Sequence, residues 1–222
     1  MHSERKTHFD QLYRNDNDPW NYTSSGYERD KYDATIARLT RPHYASVIEV
    51  GCSIGVLSAR LRLMCDRFLG LDLSERALRL AGRRLAHCSN VALRQVEVPH
   101  RWPRRKADLI VLSEVLYYLD RDELAHLAEC VDSSLLPGAE VVIVAWTGRT
   151  GTALSGIAAA RIFIDALSRL RALQIVKHPA VEGYVHFTAT SVTRAPRQRT
   201  RSHKGSAEAE APADGHLMKR QM

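Results

Sequence analysis

What this 222-residue sequence lacks is informative first. No apolar run reaches the 18 residues of a membrane span, so no transmembrane helix is expected. The opening residues, M-H-S-E-R-K-T-H-F-D, are charged and lack the apolar centre of a secretory signal. Cysteine is sparse. Cys52, Cys65, Cys88 and Cys130 are widely spaced, with no Cys-x-x-Cys pair and no histidine at zinc spacing. They read as reduced thiols of a cytoplasmic protein, with no metal site. Gly-x-Gly-x-x-Gly and Gly-Lys-Ser/Thr are both missing, which argues against a pyrophosphate cradle and excludes a P-loop. There are no internal repeats.

Acidic charge is also in short supply, with 25 Asp/Glu against 32 Lys/Arg, a net +7. The excess is not spread evenly. Residues 194–222 hold seven Lys/Arg and three Asp/Glu, so +4 of the +7 sits there and the body carries only +3. This stretch has two prolines, Ala/Glu alternation and no apolar period, and is expected to be a disordered basic tail. A solvated tail is the simple reading; a polybasic arm toward nucleic acid or acidic surfaces is the other. No folded basic groove is indicated, and a nucleic-acid partner is not expected.

What is present is organised around Val47 to Ser58, V-I-E-V-G-C-S-I-G-V-L-S. Val47 to Val50 suits a strand buried on both faces, with Glu49 where the strand is about to leave the sheet. Gly51 and Gly55 bracket a turn, with Ser53 where a dinucleotide turn would place its second glycine. An amphipathic helix is expected next, with Val56, Leu57, Leu61 and Met64 on one side. Strand, glycine turn and helix form half of a nucleotide-binding unit. A second strand, Phe68 to Leu71, ends in Asp72, and a carboxylate there suits the vicinal hydroxyls of an unphosphorylated ribose.

The remaining pattern alternates strands and helices. A helix over residues 25–38 is expected, capped by Ser24 or Ser25, within an aromatic-rich segment 1–46 that precedes the first strand. Further elements are a helix from Ser74 to Ala86 and strands from Asn90 to Val98 and Ala107 to Leu112. A helix from Arg121 to Ser133 capped by Asp120 follows, then a strand from Ala139 to Ala145, a helix from Ile157 to Leu170, and strands at Leu173 to His178 and Tyr184 to Thr190. Seven strands result, the last two closing as a hairpin. In such a sheet the crevice lies at the strands' carboxyl ends, so Glu114, Tyr117 and Tyr118 follow the fourth strand into it. Trp20, on a loop before the domain, could cover a cationic ligand with its ring.

Glu49-x-Gly51-x-x-x-Gly55, followed by Asp72, resembles the signature of class I S-adenosylmethionine-dependent methyltransferases. Asp18-Pro19-Trp20, Tyr27-Glu28-Arg29 with Lys31, Glu49-Val50-Gly51-Cys52 and Ser113-Glu114-Val115-Leu116-Tyr117-Tyr118-Leu119 resemble, more narrowly, the nodulation protein S family over residues 10–147. The resemblance implies a three-layer, Rossmann-like α/β methyltransferase fold with a mostly parallel seven-stranded sheet ending in an antiparallel hairpin. Residues 47–193 would form the S-adenosyl-L-methionine-binding domain and 1–46 a helical cap. It implies a cofactor site of Trp20, Lys31, Glu49, Gly51, Cys52, Ser53, Gly55, Asp72, Leu73, Glu97 and Ser113. Glu97 stands near where such enzymes usually use an Asp for adenine, one or so positions off. Glu114, Tyr117 and Tyr118 would serve the acceptor. The family implies N-methylation of a small acceptor, an amine or aminosugar such as the glucosamine end of a chitooligosaccharide. Rival readings are an O-methyltransferase of a phenolic or carboxylate metabolite and a silent nucleoside-binding or partner domain. A nicotinamide-dependent dehydrogenase is disfavoured by Ser53 and the hairpin.

Overall fold

The computed structural model describes residues 4–181 and 183–192; the segment 194–222 read above as a basic tail lies outside them. Two helices come first, α1 (Glu4–Asn15) and α2 (Gly26–Ala37). They are followed by β1 (Tyr44–Val50), the one-turn α3 (Ser58–Leu61), β2 (Cys65–Asp72), α4 (Glu75–Arg84), β3 (Val91–Gln95) and β4 (Ala107–Ser113). The chain continues through α5 (Arg121–Ser134), β5 (Leu135–Trp146), α6 (Gly156–Leu170), β6 (Leu173–Lys177) and β7 (Tyr184–Ser191). The sheet order is β3-β2-β1-β4-β5-β7-β6. β7 alone runs against its neighbours, pairing antiparallel with both β5 and β6.

Both faces of the sheet are covered, so its central strands are apolar almost throughout. β4 is buried from Ala107 to Leu112. Ile48, Ile110, Leu112 and Ile143 pack with Leu124, Leu127 and Val131 of α5 and with Phe163 and Leu167 of α6. On the other face Val47, Phe68, Leu109 and Val111 pack with Tyr32 of α2, with Leu61 of α3 and with Leu57 just before it. Helix starts follow their caps. Ser25, Ser74 and Ser155 accept from backbone N–H groups three residues on, and Asp120 with Glu123 forms a reciprocal capping box.

At the amino ends of the strands, buried carboxylates tie the entry loop to the sheet. Asp108 accepts from the backbone N–H groups of Ala45 and Ser46 at 2.9 and 2.7 Å. Glu140 accepts from the Tyr44 and Thr40 hydroxyls at 2.7 and 2.8 Å.

β3 stops at Gln95, three residues short of the expected Val98, and three further differences from the sequence pattern are larger. The helix after the glycine turn is one α-turn plus a 3-10 turn, Arg62–Met64, because β2 already begins at Cys65. Asn90 fixes that early start by donating to the carbonyls of Arg62 and Cys65 at 2.8 and 2.9 Å. β5 begins at Leu135 and runs through Pro137-Gly138, where the sequence reads as a helix stop. α1 is the largest difference: the aromatic segment was expected to supply one helix and contains two.

Candidate active site

The glycine turn is held by what surrounds it. Gly51 N and Cys52 N both donate to Leu71 O, at 2.8 and 3.0 Å, which pins the turn to β2. Gly51 has φ +80, and a Cβ built on it would lie 2.2 Å from Val115 Cγ1, so only glycine fits. Ser53 also has a left-handed φ of 50. Its backbone N–H donates to Asp72 Oδ2 at 2.8 Å, and its hydroxyl bonds Tyr13 OH at 2.5 Å, so two contacts offset that conformation. Gly55 shares the left-handed φ of +80 and has a second role. It lets α4 approach, with Ala81 Cβ 3.1 Å from where its own Cβ would stand.

Asp72 is thereby preorganised. One oxygen accepts from Ser53 N and the other from Ser74 N, both at 2.8 Å. Burial outweighs those bonds and pushes its carboxyl up to about 6. Burial likewise pushes Glu49 up to about 8; Ser58 Oγ donates to it at 2.5 Å.

A cavity of about 460 Å³ runs along the carboxyl ends of β3, β2, β1, β4 and β5. Of the residues named from sequence, Trp20, Gly51, Ser53, Asp72, Leu73, Glu97, Ser113, Glu114, Tyr117 and Tyr118 line it. Glu49 and Cys52 instead line a small recess beneath the turn, together with Gly51, Ser53, Ser113 and Glu114. Gly55 and Lys31 line neither.

One wall is α1, which sequence reasoning missed. Its Arg5, Phe9 and Tyr13 face the cavity. Arg5 donates to Tyr118 O at 2.9 Å and to Glu123 Oε1 at 2.6 Å, and Asp10 accepts from Ser74 Oγ at 2.8 Å. These contacts fasten the helix to the loop after β4 and to the start of α4. A signal existed: Lys6/Asp10 and Phe9/Tyr13 are both spaced i,i+4. Trp20 packs among Phe9, Tyr13 and Tyr22, with ring centroids 6.3, 5.7 and 5.6 Å away.

The β4–β5 end has a different character. Tyr27, Glu28, Glu114, Trp146, Arg149 and Thr150 line it. Glu114 has a left-handed φ of 55, its N–H donating to Val144 O at 2.9 Å. Lys31, 1% exposed, donates to Glu114 Oε2 at 2.6 Å and to Glu28 Oε1 at 2.9 Å, with Glu28 Oε2 2.8 Å away in the ion pair. Burial raises the Glu28 carboxyl, and the Lys31 ammonium partly opposes it. The Tyr117 and Tyr118 rings lie 4.6 Å apart, and burial raises both hydroxyls, which therefore remain neutral donors. Tyr27, Glu28 and Trp146 went unassigned from sequence because two elements far apart in the chain, α2 and β5, bring them together.

A sheet of this order, with one antiparallel strand and a carboxylate-lined crevice at the ends of β1, β2 and β4, is the fold of class I methyltransferases. The nodulation protein S (NodS) family model matches residues 5–161, and the chain belongs to that family. Nodulation protein S of Bradyrhizobium diazoefficiens is 32% identical over 104 residues, 46% of this chain and 49% of the relative. That of Sinorhizobium fredii is 28% identical over 104 residues, 46% and 48% of the two. The chain spans about half the length of the curated relatives it matches. Among solved structures, N-methyltransferase NodS from Bradyrhizobium japonicum WM9, in complex with S-adenosyl-L-homocysteine, superposes with TM-score 0.73. The match covers 85% of this chain and 99% of that one at 20% identity, and carries the fold argument alone. A Pseudomonas syringae protein, whose assignment as a methyltransferase is itself provisional, gives TM-score 0.64 at 32% identity over 75% of this chain and 99% of that one.

Proposed function

We propose that this protein is an S-adenosylmethionine-dependent methyltransferase whose acceptor is a small amine, with an aminosugar such as the glucosamine end of a chitooligosaccharide as the first candidate. One observation carries the reading. A single cavity joins a ribose-type carboxylate, Asp72 on β2, to a second carboxylate pair, Glu28 and Glu114, beyond β4.

The residues present fit the cofactor. S-adenosylmethionine supplies, when bound, a methyl group on a permanent sulfonium cation. Asp72 has lone pairs beyond those used by Ser53 N and Ser74 N, and these accept ribose hydroxyls. Val96, Glu97 and Val98 offer backbone groups at the adenine end. The α1 and Trp20 rings exclude water, and the aromatic faces favour a cation. Because transfer needs alignment more than covalent help, orientation and dryness are the protein's main contributions.

At the other end the formal charge of Glu28, Lys31 and Glu114 sums to minus one, which favours a cationic amine over a carboxylate metabolite. An amine must lose a proton before it can attack. Glu114 accepts that proton through Oε1, its Oε2 being engaged by Lys31. Tyr117 and Tyr118, as neutral hydroxyls, orient the acceptor. We read residues 1–46 as a cap and 47–193 as the catalytic domain, with α1 forming part of the site's roof. Among the described residues no helix is long and apolar enough to cross a membrane, and the four cysteines are free; we place the protein in the cytoplasm.

The test is calorimetric titration with S-adenosylhomocysteine and with NAD, then a methyl-transfer panel of aminosugars, simple amines, phenols and carboxylates. Binding of NAD in place of S-adenosylhomocysteine would overturn the cofactor, and preferred turnover of phenols or carboxylates would overturn the amine.

A further inference from the structure

We infer that Lys31 is a positioning residue of the acceptor end and not a cofactor contact: with Glu28 it fixes Glu114 in the pose from which Glu114 takes the acceptor's proton. This rests on the amine-methyltransferase reading above and assigns roles within the same site.

The Lys31 ammonium is enclosed by carboxylates. It donates to Glu114 Oε2 at 2.6 Å and to Glu28 Oε1 at 2.9 Å, Glu28 Oε2 lies 2.8 Å away in the same ion pair, and Lys31 lines no part of the cavity. A lysine that held the cofactor's carboxylate would need an N–H turned toward the cavity. The Tyr27 and Tyr32 rings each stand 5.7 Å from the ammonium and close its remaining sides. Glu28 and Lys31 are three residues apart on α2 and therefore share a face. They form the locally neutral pair against which Glu114 docks by one oxygen. Its other oxygen remains for the cavity that Glu114 lines.

The backbone under Lys31 is fixed as well. Thr35 Oγ1 donates to Lys31 O at 2.8 Å, and Thr35 Oγ1 also lies 2.8 Å from His186 Nε2. A hydroxyl has one proton and gives it to the carbonyl, so His186 Nε2–H is the donor to Thr35. His186 belongs to β7 and is fully buried, so the helix turn carrying Lys31 is tied to the sheet. Stability alone does not account for such a device. Replacing a buried ion pair by packed apolar groups is often neutral or stabilising, so the charges are better explained by what they aim.

The experiment compares wild type, Lys31→Met and Lys31→Arg. Lys31→Met leaves two close carboxylates without a counter-charge, so the Lys31→Met, Glu28→Gln double variant, with charge rebalanced, is run beside it. S-adenosylhomocysteine affinity is measured by calorimetry, kcat and KM on the best wild-type acceptor from the panel above, and the Glu114 pose from crystals grown with S-adenosylhomocysteine. We expect affinity to hold within about threefold in every variant. kcat should fall about 10²-fold in Lys31→Met, the scale of a misplaced catalytic group, with KM changing less. Lys31→Arg should recover part of the rate, and Glu114 should have left its pose in both Met variants. Affinity falling in step with kcat would return Lys31 to the cofactor shell and overturn the inference. An unmoved Glu114, which needs no acceptor to observe, would also overturn it. Failure of the wild type to bind S-adenosylhomocysteine would instead refute the methyltransferase reading, so the two failures are distinguishable.

Discussion

Replacing Glu49 by Gln should stabilise the ligand-free protein, and by an amount that depends on pH. Glu49 is 1% exposed on β1, and its carboxyl is pushed from 4.5 up to about 8, chiefly by burial. A folded pKa above the unfolded value means that the native state holds a proton which the unfolded chain releases. Stability is therefore greatest below pH 4.5, declines as pH rises through the window from 4.5 to 8, and levels off above it. At about 1.4 kcal/mol per unit the whole window is worth about 5 kcal/mol, and the 2.5 units traversed by pH 7 about 3 kcal/mol.

Gln is the same size as a protonated Glu, keeps an oxygen for the Ser58 hydroxyl and cannot ionise. The two proteins should match at pH 4.5 and diverge to about 3 kcal/mol in favour of Gln by pH 7. In a chain of this length that is roughly 6 to 12 °C in Tm. Urea melts of both proteins at pH 5, 6, 7 and 8 give the difference directly. Titrations elsewhere, Asp72 included, cancel to first order because both proteins contain them. A difference that stays flat from pH 5 to 8, or a variant less stable at pH 8, would refute the reasoning.

Other residues carry their own expectations. Asp72→Ala should weaken S-adenosylhomocysteine binding by about one to two orders of magnitude, since each hydrogen bond to a charged group contributes about 1.5 to 3 kcal/mol. The wild-type affinity, by calorimetry, should rise from pH 5 to 7, because hydroxyl donors prefer the ionised carboxylate and its value is about 6. Gly51→Ala places a methyl 2.2 Å from Val115 Cγ1 at φ +80, at a cost of about 2 to 5 kcal/mol. Adding Val115→Ala should return only the steric part in urea melts. Glu114→Gln should lower methyl transfer by about 10² to 10⁴-fold while leaving S-adenosylhomocysteine affinity unaltered; an unaltered rate would leave the proton to water.

The parts of the molecule legible in sequence are those whose pattern is local. A short, mostly β-prone run, a glycine turn and an acidic strand end lie within 26 residues, and each feature restricts its neighbours. The caps at Ser25, Ser74 and Asp120 were visible because capping acts over three residues. α1 was marked only by two i,i+4 pairs, because most of its residues are polar and its only buried side chain is Tyr13. Its stability comes from Arg5, Asp10 and Tyr13 reaching Glu123, Ser74 and Ser53. Glu28 went unassigned for a related reason. In sequence it is a charged residue in a helix's first turn, where the macrodipole explains it. Only the fold brings it beside Glu114, 86 positions on, with Lys31 between them.

The two ends of the sheet use buried carboxylates in opposite ways. At the amino ends, Asp108 has a donor from the protein itself on each oxygen, the N–H groups of Ala45 and Ser46, and Glu140 Oε2 has two hydroxyls, although Glu140 Oε1 is buried without a partner. At the carboxyl ends, burial leaves Asp72 and Glu49 short of full compensation, at about 6 and about 8. That deficit costs the ligand-free protein stability, and it is what a ligand bearing hydroxyls and positive charge can relieve. The donors missing from the crevice are then a property of the binding site: supplying them from within the fold, as at the amino ends, would raise stability and remove the reason for a cationic nucleoside to bind.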